Sequence, residues 1–213
     1  MYEDMKKEII KRYNERLKKY GHDPRTLGWF KGRQPIRFKV ITQIGDLNNS
    51  SILDVGCGFG DLYDFLIKNY RGIEYVGYDI NPNLIQTAKK THPNVCFEVK
   101  DILQEKLKEK FDYVVSSGLF EFRFPDSTSF TRNMLRGMFE SCKKGVAADF
   151  MSTYADFEEK NAFYANPEDI FRFCKTLSKR VSLRHDYMPF EFCIYIYKND
   201  SINERNVFTD FDL

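Results

Sequence analysis

Ile52-Leu53-Asp54-Val55-Gly56-Cys57-Gly58-Phe59-Gly60-Asp61-Leu62 is the stretch that decides how this chain is read: an apolar run stops at alternating glycines and an amphipathic pattern begins. The pattern predicts a strand, a tight turn and a helix. Gly56, Gly58 and Gly60 have no Cβ and tolerate positive φ, so backbone here can come within contact distance of a ligand. The stretch reads as a nucleotide-cofactor loop. A dinucleotide fingerprint, Gly-x-Gly-x-x-Gly or Ala, would need a small residue at position 61. Asp61 stands there instead. An acid in the first helical turn repels a pyrophosphate, whereas a ligand with cationic groups accepts it.

Working outward, Leu62, Phe65 and Leu66 mark a crossover helix, and Ile73 to Asp79 a second strand. Asp79 lies about twenty residues past the glycines, where an acid at a strand tip can accept both ribose hydroxyls of an adenosine. Asn81 is then a cap and Pro82 opens a helix holding Leu84, Ile85 and Ala88. A third strand is expected at Val95–Val99, a fourth at Phe111–Val115, a helix from about Ser127 to Cys142 and a fifth strand at Gly145–Phe150. Asn166-Pro167-Glu168-Asp169 is a strong helix start. Two β-rich runs, Arg180–Tyr187 and Phe190–Lys198, joined around Met188-Pro189, predict a hairpin, so one sheet edge must be antiparallel.

Asp54 followed by Gly56, Gly58 and Gly60 resembles the first motif of class I S-adenosylmethionine-dependent methyltransferases, an acid followed by Gly-x-Gly-x-Gly. The resemblance covers most of the chain from Ser51 to Lys198. It implies an α/β fold with a Rossmann-like open sheet, mostly parallel, of seven strands with one antiparallel strand from the C-terminal hairpin and helices on both faces. It also implies S-adenosylmethionine as cofactor. Asp79 matches the family's ribose-binding acid, while Asp101 and Ile102 stand where the family contacts the adenine amino group and stacks on the ring. An N-cap for a following helix is a competing role for Asp101. Cys57, Ile80 and Ser117 complete the cofactor-side candidates.

Residues 1–50 match the family only as an N-terminal helical addition. Met5, Ile9, Ile10, Tyr13, Leu17 and Tyr20 form a helical stripe from Tyr2 to about Lys19, and a second helix from Gln34 to Gly45 is expected to bury Ile36, Val40, Ile41 and Ile44. Trp29, the sole tryptophan, sits between Gly28 and Gly32 and is either a lid over a pocket or a core plug. In many small-molecule methyltransferases such an extension covers the cofactor, which favours the lid. Arg33, Gln34 and Arg37 are then placed to hold the cofactor's carboxylate. The chain thus divides into a helical lid at 1–50, a cofactor-binding methyltransferase domain at 51–198 and a polar tail at 199–213.

Composition excludes other classes. The chain has 213 residues, 42% hydrophobic and 30% charged, with 33 basic and 31 acidic residues and a net charge of +2. That suits one globular domain and gives no field demanding nucleic acid or an anionic membrane. Five scattered cysteines without Cys-x-x-Cys spacing, and a charged N-terminus without a signal-peptide core, fit a cytoplasmic protein. His22, His92 and His185 show no metal-ligand spacing.

The acceptor side is less specific. The loop Ser116 to Pro125 should face the transferred methyl, since the crevice of an open parallel sheet lies at its carboxyl ends. Neither the Asn/Asp-Pro-Pro-aromatic motif of amide and DNA methyltransferases nor a Pro-Cys nucleophile is present; an aromatic cluster, Phe120, Phe122 and Phe124, stands there instead. The segment Met151–Ala165 is a candidate to complete the acceptor pocket. Glu121 and His185 are the candidate bases for an acceptor that must lose a proton. The expected function is methyl transfer to the oxygen or nitrogen of a small molecule. Two alternatives remain: an RNA or protein methyltransferase using the basic first helix with Arg25, Lys31 and Arg33, and a cofactor-binding protein without catalysis.

Overall fold

The computed structural model describes residues 2–29, 32–105 and 107–199; Lys31 and the tail beyond Asn199 lie outside them. Among the described residues, the period-2 apolar runs form one sheet: β1 (Ser51–Val55), β2 (Glu74–Asp79), β3 (Cys96–Val99), β4 (Phe111–Ser116), β5 (Cys142–Met151), β6 (Val181–Arg184) and β7 (Glu191–Tyr197). Their order is β3-β2-β1-β4-β5-β7-β6. The neighbours from β3 through β5 pair in parallel, while β7 runs antiparallel between β5 and β6. The hairpin expected from the C-terminal runs therefore inserts its second strand inside the sheet. Strand order reverses between β1 and β4, which opens a crevice at their carboxyl ends.

Among the described residues six α-helices accompany the sheet: α1 (Tyr2–Tyr20), α2 (Gln34–Ile41), α3 (Asp61–Asn69), α4 (Pro82–Thr91), α5 (Ser127–Ser141) and α6 (Pro167–Leu177). Alternation along the strands divides the interior in two. Leu53, Val114, Val146 and Ile194 face Met134, Leu135 and Met138 of α5 and Ile170 and Cys174 of α6. Ile52, Val115, Ala147 and Cys193 face the opposite layer, with Phe38 and Ile41 of α2, Leu62 and Leu66 of α3 and Ile85 and Ala88 of α4. Asn81 caps α4 by accepting from the amides of Asn83 (2.9 Å) and Leu84 (3.3 Å). Asn166 caps α6 in the same way through Asp169 N, at 2.9 Å.

Three local expectations change. The second helix ends at Ile41 and continues as a 3₁₀ turn over Thr42–Ile44, and Ile36 is exposed at 43% because it points away from the sheet. Among the described residues no helix joins β3 to β4. Asp101 there forms turns, its carboxylate accepting from Leu103 N (3.1 Å) and its carbonyl from Gln104 N (3.1 Å) and Glu105 N (2.9 Å). The N-cap role considered for Asp101 thus gives way to an Asx-type turn.

Candidate functional site

The glycine loop leaves β1 into a cavity at the carboxyl ends of β1, β2 and β4. Gly56 and Cys57 donate their amides to Tyr78 O at 2.7 and 3.1 Å, and Gly58 donates to Asp79 Oδ2 at 3.0 Å. Asp79 Oδ1 accepts from Asn81 N at 2.8 Å. One carboxylate therefore fastens the loop to the start of α4, and its remaining acceptor capacity faces the cavity. Burial raises its pKa, against the lowering effect of these amides. Gly60, at φ 86° before α3, does not line the cavity; a Cβ there would lie 2.6 Å from Phe97 Cζ. Its glycine serves helix packing, whereas Gly56, Cys57 and Gly58 face the ligand space.

Asp54, Asp61 and Asp101 join Asp79 around this cavity, with Ile80, Ile102 and Ser117. Asp54 is 3% exposed and accepts from Tyr75 Oη at 2.7 Å. Burial is the main cause that raises its pKa to about 7. A cation bound beside it favours the ionised form, so binding below about pH 7 releases a proton and affinity rises as pH climbs through that value. Calorimetry of the sulfonium cofactor in buffers of differing ionisation enthalpy reads that proton, and Asp54→Asn should abolish its release. Ser117 Oγ donates to Asp149 Oδ2 and Gly118 N to Asp149 Oδ1, both at 2.7 Å. Asp149, buried in β5, was missed from sequence. A lone acid inside the apolar run Val146–Phe150 is the signal, because a buried carboxylate requires donors.

α1 lies across the cavity mouth. Its stripe of Tyr2, Met5, Ile9 and Tyr13 lines the cavity, and none of its residues is buried. Tyr2 Oη donates to both Asp101 oxygens at 2.9 and 2.8 Å, and Lys6 Nζ reaches Oδ2 at 3.0 Å. Farther along, Asn81 Nδ2 donates to Asn14 Oδ1 at 3.0 Å and Asn83 Nδ2 does the same at 3.0 Å. The stripe resembles a core-packing face in sequence, yet it covers ligand space.

A second cavity adjoins the first, sharing Tyr13, Trp29 and Phe122 as its partition. Trp29 is half-buried and lines both, so it is a dividing wall rather than a core plug. α2 separates the three expected carboxylate-binding groups. Gln34 and Phe38 face the first cavity, where Gln34 Nε2 donates to Asp61 Oδ2 at 2.9 Å, while Arg33 and Arg37 face the second. One residue turns a helix by 100°, and i, i+4 pairs stay together. Arg37 is buried, donating from Nε and Nη2 to Glu191 at 2.5 and 2.6 Å and from Nη1 to Glu121 at 2.5 Å. Glu121 thus stands at the partition; a Cβ on Gly118 would lie 3.1 Å from Trp29 and 3.6 Å from Glu121 Oε1. His185 lines neither cavity. It packs near Tyr154 and Phe192 on the β6–β7 side, because β6 runs at the sheet edge away from the crevice.

The donor set of the first cavity, four carboxylates beside backbone amides, fits a ligand bearing a cationic amino group, a sulfonium and ribose hydroxyls, and it disfavours a pyrophosphate. A family model described as a methyltransferase domain matches residues 52–145. A protein of Mycobacterium tuberculosis named as a methyltransferase is 30% identical over 161 residues, covering 70% of this chain and 93% of that protein. A malonyl-[acyl-carrier protein] O-methyltransferase of Acetivibrio thermocellus is 35% identical over 82 residues, 36% of this chain and 29% of that protein. The magnesium protoporphyrin IX methyltransferase of Synechocystis PCC 6803, solved with S-adenosylmethionine, shares the fold at a TM-score of 0.61 and 18% identity, over 79% of this chain and 80% of that one. Human N-acetylserotonin methyltransferase shares it at 0.65 and 15%, over 89% and 57%. The chain belongs to the class I S-adenosylmethionine-dependent methyltransferase family. It is a methyltransferase and S-adenosylmethionine is its cofactor. Among the described residues no helix is long and apolar enough to cross a membrane, and no group of three or more His, Cys, Asp or Glu is placed to hold a metal ion.

Proposed function

We propose that the methyl acceptor is a small molecule with an oxygen or nitrogen nucleophile, and that it occupies the second cavity. The observation that carries this reading is the position of that cavity, of ≈ 320 Å³, which adjoins the first across the Trp29 partition and is bordered by α1 and the segment 151–164. Phe122 pairs with Ala162 as an isolated antiparallel bridge, and Arg123 holds Glu158 at 2.7 Å, so the segment is pinned beside the β4 loop. A space of that volume suits a small molecule taken in whole better than a polymer. The RNA reading loses support because Arg25 is bound to Asp23 at 2.8 and 3.1 Å and Arg33 faces the cavity. The names of the porphyrin and N-acetylserotonin methyltransferases agree with a small acceptor.

Asp79 would hold the ribose, Asp101 and Ile102 the adenine, and Gln34 the amino-acid end, which lies against the loop at Gly56, Cys57 and Gly58. When bound, S-adenosylmethionine supplies a methyl group that leaves to an acceptor lone pair while the C–S electron pair stays on sulfur. Alignment and exclusion of water by Trp29, Tyr13 and α1 then carry much of the acceleration. Glu121 is the base that takes the acceptor's proton; among the described residues its Oε2 accepts no hydrogen bond. Incubation with labelled cofactor and fractionated lysate tests the reading: label should enter the metabolite fraction. Label confined to RNA or protein would overturn it.

In this proposal α1 and the turn leading to Trp29 act as the lid expected of residues 1–50, whereas α2 packs into the domain core through Phe38 and Ile41 and does not belong to it. Trp29 faces the cofactor space, so its emission should shift when the demethylated cofactor is titrated in, and tryptic cleavage after Arg25 should slow in parallel. An emission that stays fixed at saturation would reject the lid.

A further inference from the structure

Three side chains, Tyr13, Trp29 and Phe122, stand between the cofactor cavity and the second cavity, so a methyl group that goes from one to the other passes them. Phe122 carries no polar atom, and the indole of Trp29 can only donate. Tyr13 alone brings an oxygen to the partition. Its ring packs edge-to-face with Phe122, the centroids 5.6 Å apart and the planes at 72°. Its place along α1 is fixed by the next residue, since Asn14 Oδ1 accepts from Nδ2 of both Asn81 and Asn83 at 3.0 Å. The two tyrosines of the α1 stripe then differ. Tyr2 commits its hydroxyl to Asp101 at 2.9 and 2.8 Å. Among the described residues no group hydrogen-bonds the Tyr13 hydroxyl, and the one side-chain polar atom there that is both buried and unpartnered is Tyr187 Oη, so the Tyr13 hydroxyl opens to the space it lines. Loss of water is the main cause that raises its pKa, and the charges of Glu121 and Asp79 act in the same direction. Near neutral pH it is a hydroxyl with a proton to donate.

We propose that the Tyr13 hydroxyl donates a hydrogen bond to the acceptor's nucleophile at the partition, and that this nucleophile is the oxygen of a hydroxyl group. The proposal rests on the second cavity being the acceptor site, and it narrows that reading to one kind of atom. A hydroxyl oxygen has two lone pairs, so one attacks the methyl carbon while the other accepts from Tyr13. A neutral amine has a single lone pair, and a donor aimed at it would hold the electrons that the methyl must receive. In the step, the acceptor's O–C bond to the methyl forms as the C–S bond breaks, and the C–S electron pair stays on sulfur. The acceptor's O–H proton passes to Glu121, and Tyr13 keeps its own proton throughout. As that O–H bond weakens, negative charge grows on the acceptor oxygen, which a donor already fixed in place stabilises without reorganising. Because Tyr13 belongs to α1, the donor is in position only while α1 lies across the cavity.

Tyr13→Phe removes a single oxygen and keeps the ring against Phe122. The full chain and this variant are compared with trideuteromethyl-labelled S-adenosylmethionine and the metabolite fraction of a lysate, supplied as a dilution series, and mass spectrometry reads both the rate and the atom that carries the label. The variant should lower kcat about 10- to 100-fold, the scale of one hydrogen bond to an atom that gains charge in the step. The apparent KM for the fraction should be little changed, as expected of a contact made chiefly in the transition state. Affinity for the demethylated cofactor, read by calorimetry, and the melting temperature should not fall. The label should sit on oxygen. Unchanged turnover in the variant, or label on nitrogen, overturns the proposal while the methyltransferase reading stands. A variant that loses affinity for the demethylated cofactor in step with turnover would assign the hydroxyl to the cofactor, and one that melts correspondingly lower would assign it to the fold; either result also overturns it. If no metabolite takes label from the unmodified chain, the small-molecule reading fails and this proposal falls with it.

Discussion

Arg37→Met is expected to lower the free energy of unfolding by about 3 to 5 kcal/mol near neutral pH, the loss typical of removing one partner from a buried ion pair. Arg37 is 6% exposed, and it joins α2 to β7 through Glu191 and to the β4 loop through Glu121. Methionine fills much of the volume but leaves both carboxylates without their cation. Burial already raises the pKa of Glu191, and Arg37 works against that rise. Without Arg37 the folded state binds this proton still more tightly than the unfolded chain does. Stability of the variant therefore falls as pH rises through the carboxylate range, and its deficit shrinks as pH drops below the raised value. Urea denaturation of both proteins at about pH 5 and about pH 8 reads the difference. A deficit independent of pH would assign the loss to packing rather than charge.

Asp79→Ala is expected to weaken cofactor binding by at least about 3 kcal/mol, more than about 100-fold in Kd. Two effects combine. The variant loses the acceptor oxygens proposed for the ribose, and it releases Gly58 N and Asn81 N, which now hold the loop against β2 and α4. Loss of these two bonds means that the melting temperature should fall as well. Asp79→Asn keeps one carbonyl oxygen for a backbone amide, so it should recover much of the stability and little of the affinity. Calorimetry with the demethylated cofactor, beside thermal denaturation, separates the two contributions. Wild-type affinity in a folded Asp79→Ala protein would place the ribose elsewhere.

Much of the sheet was legible because its signals are local. The apolar run before the glycines, the acid at the tip of β2 and the two β-rich runs around Met188-Pro189 each carry their meaning within a few residues. What stayed hidden depended on rotation and on distant partners. Arg33, Gln34 and Arg37 are near neighbours in sequence, but only the phase of α2 tells which of them meets which cavity. The stripe Met5, Ile9, Tyr13 reads identically over a core or over ligand space. Asp101 was legible as a candidate contact for adenine and not as the anchor of Tyr2 and Lys6, nearly a hundred residues earlier. His185 was drawn in by its chemistry alone, and the edge position of β6 removes it from the crevice.

Those two α1 side chains have a consequence for timing. The carboxylate proposed to read the adenine is also the point to which α1 is moored, so arrival and departure of the nucleoside both compete with the same hydrogen bonds. In the lid proposal, exchange waits on release of a nineteen-residue helix at two moorings, Asp101 at one end and the Asn81 and Asn83 amides farther along. The chemical step needs only alignment. Successive cycles would then be paced by how often the mooring slips, with spent cofactor held back after each transfer.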